Sequence, residues 1–276
     1  MIRTEAQLLP AGACDTHMHF YDHRFPGAAS AVKPTPPDFS TEDYRATMRR
    51  LGHSRMVVVQ PTTYGLDNRL QLAAAAEFGQ DARVVVVVDE TVTDAELARL
   101  DAQGACAVRF FMWKGGALGW DSLQPVAERI APLGWHIELH IDGATLPEHL
   151  ERLLGLPCPA VLDHVGRFRE PAPEGHPAAR ALEALMDTGR WWVKLSAPGL
   201  QCSEGLRARV ERLIERTPDR LVWATNCPHP GQLQPPNELE ELRTWLDWID
   251  DPALVHKIFC SNPEQLYRFR QFEDAS

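Results

Sequence analysis

Two histidines stand one residue apart in the run CDTHMH, at His17 and His19. Residues i and i+2 of a strand project to the same side, so this spacing would present two imidazoles to one space. Imidazole can move a proton near neutral pH, donate to a developing oxyanion or bind a metal. Further polar residues end other apolar runs: His140 in HIELH, Asp163 and His164 in LDHVGR, Asn226 and His229 in ATNCPH. Arg109, Lys114 and Arg167 are cations suited to an anionic ligand, arginine through a bidentate fork on a carboxylate. Gln60, Thr62 and Tyr64 add uncharged polar groups after VVVQ. Taken singly, each has a plain structural reading, because a lone histidine near a strand end is most often a hydrogen-bonded framework residue. His23, His53, His136, His149, His176 and His256 read as surface or packing residues. Lys194, deep in WWVKLSA beside Ser196, suits a buried ion pair with Asp163 as well as it suits a functional role.

The chemistry needs these residues in one place, so the elements that carry them decide its value. Eight short apolar runs recur along the chain, at 13–19, 56–61, 84–89, 107–112, 136–141, 160–166, 191–197 and 221–226. Most are β-branched or aromatic, as strands buried on both faces require. Helical segments lie between them. The segment at 40–52 opens with a Ser/Thr cap signal and stops at Gly52, and 67–79 has Asp67 or Asn68 as its cap and Gly79 as its stop. Segments at 93–104, 121–134, 145–156, 178–189, 203–218 and 237–251 follow the same grammar, and 252–269 forms a further short helical unit. This alternation predicts an α/β fold: one (β/α)8 barrel over residues 1–276 with a C-terminal helical extension. An open doubly wound sheet is the alternative, but the turn after its first strand would be glycine-rich, and His-x-His stands there instead. In a barrel the active site forms at the carboxyl ends of the strands. Hits at strand ends one, five, six and eight then converge on one mouth.

Composition narrows the partners. The 276 residues carry 28 Lys+Arg against 38 Asp+Glu, a net charge of −10, which lacks the basic footprint of a nucleic-acid binder and would be repelled by an anionic membrane. No run is long and apolar enough to span a bilayer. The opening MIRTEAQLLPAGACD has no apolar core of a secretory signal. The six cysteines are scattered without a CxxC pair, which suits reduced thiols in a cytoplasmic protein. What remains is a single acidic domain that avoids polyanions, a monomer or a homo-oligomer, either an enzyme acting on a small molecule or a non-catalytic binding barrel.

The motif set resembles the amidohydrolase superfamily. CDTHMH looks like its His-x-His signature, LDHVGR like its strand-six histidine motif, and VWATNCPHPG like the strand-eight Gly-Thr-Asp-Trp-Pro-His motif of one subgroup. That subgroup holds 2-pyrone-4,6-dicarboxylate hydrolases and related lactone-processing enzymes, including galactarolactone isomerases. The resemblance runs along nearly the whole chain, with VVVQPTTYGLDN, GACAVRFFMWKG and GWHIELHIDG at its strand-two, strand-four and strand-five segments. It implies a hydrolase acting on a carboxylated lactone, of sugar-acid or pyrone type. His17, His19 and His164 would polarise the lactone carbonyl, and Asn226 would orient the nucleophile. Arg109, Lys114, His140, Gln60, Thr62, Tyr64, Arg167 and His229 would bind substrate.

The departures from the pattern matter. Many superfamily members bind divalent metal and have Asp at strand eight. Here Asn226 is a poor metal ligand, and Arg109 stands where a metal-bridging residue would be expected. The expectation is therefore no metal, the alternative being one zinc at His17, His19, His140 and His164. A metal-dependent hydrolase or decarboxylase of the same fold follows from that alternative. An amide cannot serve as general base at neutral pH. Either a histidine activates water, or a substrate hydroxyl attacks and the enzyme is a lactone isomerase. Cys227 stands where the motif has Trp, and the loop APGLQ lacks the arginine expected after strand seven.

Overall fold

The computed structural model describes residues 8–230, 232 and 234–271. Residues 1–7, part of the stretch read above for a secretory signal, lie outside them. Eight parallel strands follow one another in sequence order around a barrel. They are β1 (Cys14–Met18), β2 (Arg55–Val59), β3 (Ala82–Val86), β4 (Ala105–Phe111), β5 (His136–His140), β6 (Ala160–Leu162), β7 (Trp191–Leu195) and β8 (Leu221–Trp223). The eight helices between and after them are α1 (Thr41–Leu51), α2 (Arg69–Ala76), α3 (Asp94–Ala102), α4 (Trp120–Ile130), α5 (Leu146–Leu154), α6 (Pro177–Asp187), α7 (Leu206–Arg216) and α8 (Glu238–Ile249). The fold is the expected (β/α)8 barrel.

Closure between β1 and β8 rests on loop backbone, one carboxylate and the Thr16 hydroxyl, which donates to Trp223 O at 2.8 Å. His19 N–H donates to Cys227 O at 2.9 Å, and Asn226 N–H donates to His17 O at 2.8 Å. Asp15 Oδ1 accepts from the backbone of His17 at 3.1 Å and of Thr225 at 2.9 Å. Its Oδ2 accepts from Thr225 Oγ1 at 2.6 Å and from Tyr44 Oη of α1 at 2.8 Å. The barrel seam is therefore built from the same residues that hold His17 and Asn226 in place.

Two strands are half the length of their apolar runs or less. β6 stops at Leu162 and β8 at Trp223, so Asp163, His164 and Asn226 lie in the turns that follow. Their backbones leave the sheet to enter the mouth. His164, Val165, Gly166 and Arg167 are all left-handed, with φ of 52°, 53°, 77° and 44°. A β-branched residue rarely accepts this conformation, so the surrounding packing must impose it.

The helices start as local chemistry dictates. Ser40 and Asp43 form a reciprocal capping box on α1, and Gly52 ends it at φ 90°. At α2 Asp67 Oδ1 accepts from the backbone N–H of Arg69 at 3.2 Å, whereas Asn68 makes no capping bond. Asn68 holds the N-cap position but directs its amide to Val87, accepting from the N–H at 2.8 Å and donating to the carbonyl at 2.8 Å. The residue joins α2 to the end of β3 instead of capping the helix.

The C-terminal extension comprises α9 (Pro252–His256), a π-turn at Lys257–Ser261 and α10 (Asn262–Tyr267). It closes the bottom of the barrel. Leu266, Tyr267 and Phe269 join the interior cluster of Cys14, Val57, Val59, Val85, Cys106 and Val161. The larger apolar layer lies between sheet and helices. All six cysteines are free. Among the described residues no helix is long and apolar enough to cross a membrane.

Candidate active site

The mouth holds a cavity of about 590 Å³ at the carboxyl ends of the strands. His19, His164, Asn226, Arg109, His140, Arg167, Lys114 and Thr62 all line it. These eight residues come from six separate stretches of chain and meet because every strand points the same way. Tyr21 and Lys33, which the motifs did not single out, line it too. Four cations face the space (Lys33, Arg109, Lys114 and Arg167), and no carboxylate is among its described lining residues. In a protein of net charge −10, this is a local positive pocket.

The second nitrogen of each imidazole defines what it can do. His19 Nδ1 lies 2.7 Å from the carbonyl oxygen of Val59. A carbonyl only accepts, so Nδ1 carries the proton and Nε2 keeps its lone pair. His19 is therefore an acceptor or base in its neutral form, which corrects its expected role as an oxyanion donor. His164 Nδ1 lies 2.8 Å from Ser196 Oγ. When that hydroxyl donates, His164 holds its proton at Nε2 and becomes the donor facing the cavity. His140 sits between two guanidinium groups: Arg167 Nη1 is 2.8 Å from Nε2, and Arg109 Nη2 is 3.4 Å from Nδ1. A neutral imidazole has one lone pair, so it accepts from Arg167 at the shorter contact and braces that arginine. Arg109 Nη1 also donates to the carbonyl of Gln60 at 2.9 Å, and Arg167 lies over the Trp113 ring at 4.6 Å.

Burial keeps these imidazoles neutral. His19 is lowered to about 3 by burial and then by the Arg109 charge, against the opposing Val59 bond. His164 is likewise lowered to about 3 by burial, with Arg109 adding and Asp163 opposing. His17 and His140 are both held well below the usual histidine value, burial leading in each case. Burial pushes the Asp163 carboxyl up, but His17 and Lys194 outweigh it, and the group is held well below the usual carboxylate range. With His17 neutral, Lys194 at 3.4 Å and Arg109 at 3.8 Å are the lasting countercharges.

Four expected site residues do not reach the cavity. His17 is wholly buried beneath it, its ring centroid 4.8 Å from that of His19 and 4.9 Å from that of His164. Gln60 Nε2 donates to Gly65 O and Asp67 O, both at 2.9 Å, so its side chain braces the β2–α2 loop. Tyr64 Oη accepts from Asp22 N–H at 2.9 Å and ties that loop to the one after β1. His229 turns away, with Nε2 at 3.2 Å from Glu238 of α8, which also pairs with Arg50. The four-histidine zinc alternative is not assembled either. His17, Asp163 and His164 bring ligand atoms within 4.8 Å of one another, while His140 is engaged by the two arginines.

Beneath the floor, Lys194 Nζ donates to Glu138 Oε2 at 2.6 Å, so its main partner is Glu138 and Asp163 is the second. Glu138 lies two residues before His140 on β5, and strand alternation alone puts both inside the barrel. That signal was available. Lys33 had none, since it sits in a Pro-rich loop without periodicity.

Comparison with known proteins agrees with this geometry. The profile described as "Amidohydrolase" matches residues 14–269. The chain is 32% identical over 268 residues to D-galactarolactone isomerase of Agrobacterium fabrum, covering 94% of this chain and 92% of that one. It is 33% identical over 278 residues to 2-pyrone-4,6-dicarboxylate hydrolase of Comamonas testosteroni, covering 94% and 91%. An apo crystal structure from Agrobacterium tumefaciens superposes with a TM-score of 0.91 at 31% identity, covering 96% of this chain and 99% of that one. With its histidines at the strand ends and a family match along almost its whole length, this chain belongs to the amidohydrolase family.

Proposed function

We propose that this protein opens the ring of a carboxylated lactone, of sugar-acid or pyrone type, as a metal-independent hydrolase. The observation that carries this reading is the cavity itself: four cations, no carboxylate among the described lining residues, and a floor of neutral imidazoles. A small anion is the ligand such a pocket favours, and its relatives named for a galactarolactone and a pyrone dicarboxylate share that chemistry.

The residues divide the work. Arg109, held by the Gln60 carbonyl, and Arg167, held by His140, grip the substrate carboxylate, and Lys114 and Lys33 assist from the rim. The lactone carbonyl lies toward His164, whose Nε2–H stabilises the oxyanion. Water attacks the carbonyl carbon and its proton passes to His19 Nε2. The tetrahedral intermediate then collapses, the ring C–O bond breaks, and His19 returns the proton to the departing ring oxygen. Binding the anionic substrate offsets the Arg109 charge that depresses His19, so the base strengthens when substrate is present. Asn226 orients the attacking oxygen through its amide.

Charge balance supports the metal-free reading. Lys194 and Arg109 already offset Glu138 and Asp163. A divalent ion at His17, Asp163 and His164 would add two buried positive charges beside two cations, so these residues fit one poorly. Six free cysteines suit a cytoplasmic location.

Asn226 favours a second reading. Its amide cannot take a proton, and an intramolecular hydroxyl needs far less activation than water. The enzyme would then convert a 1,5-lactone into the 1,4-lactone. One experiment separates the two. A panel of sugar-acid and pyrone-type lactones is followed by pH indicator and by NMR, with metal analysis of the same preparation. Acid release is the expected result, ring migration without net acid assigns the isomerase, and silence across the panel overturns lactone chemistry. Stoichiometric bound metal required for activity overturns the metal-free mechanism.

A further inference from the structure

The barrel interior contains a chain of buried polar groups that the mechanism above does not use. Tyr267, from α10 at the bottom of the barrel, donates its hydroxyl to Glu138 Oε1 at 2.9 Å. Glu138 Oε2 accepts from Lys194 Nζ at 2.6 Å. Lys194 Nζ then lies 3.2 Å from His17 Nδ1 and 3.4 Å from Asp163 Oδ1. Glu138, Lys194, His17 and Tyr267 are all 0% exposed. The chain of contacts runs the height of the barrel, from the C-terminal extension to the floor of the cavity.

His17 Nδ1 has two neighbours that ask opposite things of it. Asp163 Oδ1, at 3.3 Å, would draw a proton onto Nδ1. Lys194 Nζ is an ammonium with three donors and no acceptor, so it requires a lone pair at Nδ1. The geometry decides between them. The lysine contact is an aligned hydrogen bond, whereas neither oxygen of Asp163 is reached by one. The ammonium thus donates to Glu138 and His17, with Asp163 beside it as a countercharge at 3.4 Å.

We propose that Lys194, clamped by Glu138 and Tyr267, is a positioning residue that fixes His17 as the Nε2–H tautomer. His17 Nε2 is buried with no partner, and its ring lies 4.8 Å from that of His19 and 4.9 Å from that of His164, centroid to centroid. A proton there sets the positive end of an N–H dipole beneath the floor where negative charge gathers during acyl transfer. A lone pair there would be a second acceptor beside His19 Nε2, and the floor would hold two bases and lose a donor. Lys194 and the Val59 carbonyl thus give two adjacent histidines opposite tautomers. One becomes a fixed donor and the other a fixed acceptor. The tautomer assignment concerns the free protein, while its catalytic consequence rests on the lactone reading.

The test is long-range nitrogen–proton NMR of the intact protein labelled with ¹⁵N-histidine, with His17 assigned through His17→Gln. The expected spectrum has a protonated-type Nε2 and a lone-pair-type Nδ1. In Lys194→Met the proton moves to Nδ1, toward Asp163, and kcat on the responsive lactone falls about tenfold while KM stays within about twofold, as for loss of an interaction that acts on the transition state from beneath the floor. Because Lys194→Met strands the Glu138 charge, Lys194→Met/Glu138→Gln removes both charges together and is read the same way. A wild-type His17 protonated at Nδ1 overturns the proposal whatever the variants do. So does Nε2–H persisting without Lys194. A protein inactive on every lactone but showing the predicted tautomers removes the proposed reaction and leaves the positioning role standing.

Discussion

Arg109 illustrates how little of a residue's role its type reveals. The sequence marks a cation near the end of a strand. In the fold one of its guanidinium nitrogens donates to the Gln60 carbonyl and another faces His140, so the side chain is aimed before any ligand arrives. Arg109→Met should therefore reduce kcat/KM for a carboxylated lactone by at least about 10²-fold, the loss of a charge-assisted bidentate contact of about 3 kcal/mol. Steady-state kinetics on acid and methyl-ester forms of one lactone checks this, since the ester should lose much less. Asn226 makes a second residue-scale prediction. It is 4% exposed, left-handed at φ 68° and lines the cavity. Asp tolerates that backbone as well as Asn does. Asn226→Asp should fold, add an acidic limb to the pH–rate profile, and raise hydrolysis relative to ring migration by about tenfold, within the range for one general base. Product NMR gives the ratio directly. The residue types of His19, His164, Arg109 and Arg167 were readable in their motifs. The displacement of Gln60, Tyr64 and His229 was not, because each turns on a partner distant in sequence or on the course of a loop.

The β6–α6 turn carries two of the cavity's residues and stores the backbone strain of the mouth. Its four consecutive left-handed residues keep His164 and Arg167 on the cavity wall. Phe168, 0% exposed, anchors the turn from behind. It packs where Gly143 and Gly166 have no side chain: a Cβ on Gly143 would meet the ring at 2.4 Å, and one on Gly166 at 2.8 Å. Gly143→Ala must push this ring, and overpacking of that kind costs about 1–3 kcal/mol. The expected result is a lower melting temperature together with a raised KM, because Arg167 moves with Phe168. A change in neither, by thermal unfolding and steady-state kinetics, would show that the turn is anchored elsewhere. The strands were legible from their apolar runs. The points where β6 and β8 leave the sheet were not, because Val165 and Ala224 look as apolar as any strand residue while their backbones follow the turn.

At the scale of the whole molecule, buried neutral histidines tie stability to pH. His19 and His164 are lowered from 6.5 to about 3, and His53 and His229 to about 4, burial leading in each. The unfolded chain takes up these protons below about pH 6.5, while the folded chain refuses them until about pH 3–4. Stability is therefore complete above about pH 6.5 and is lost as pH falls, by about 2 kcal/mol per such histidine at pH 5. Several together approach the whole stability of a domain. The depressed Asp163 acts in the same sense, since its stabilisation also fades as acid protonates it. Thermal scans between about pH 4 and 8 should show a steady fall in melting temperature below about 6.5. A flat profile down to pH 5 would mean that the imidazoles carry charge in the folded protein. The sequence by itself determined the barrel, the convergence of its strand ends and the chemical types gathered there, since strand period, capping residues and apolar runs act over a few neighbours. Only the tertiary structure decided which imidazole donates and which accepts. A histidine's tautomer is set by whatever faces its second nitrogen, and those groups (the Val59 carbonyl for His19 and, as proposed, Lys194 for His17) lie 40 or more residues away in sequence.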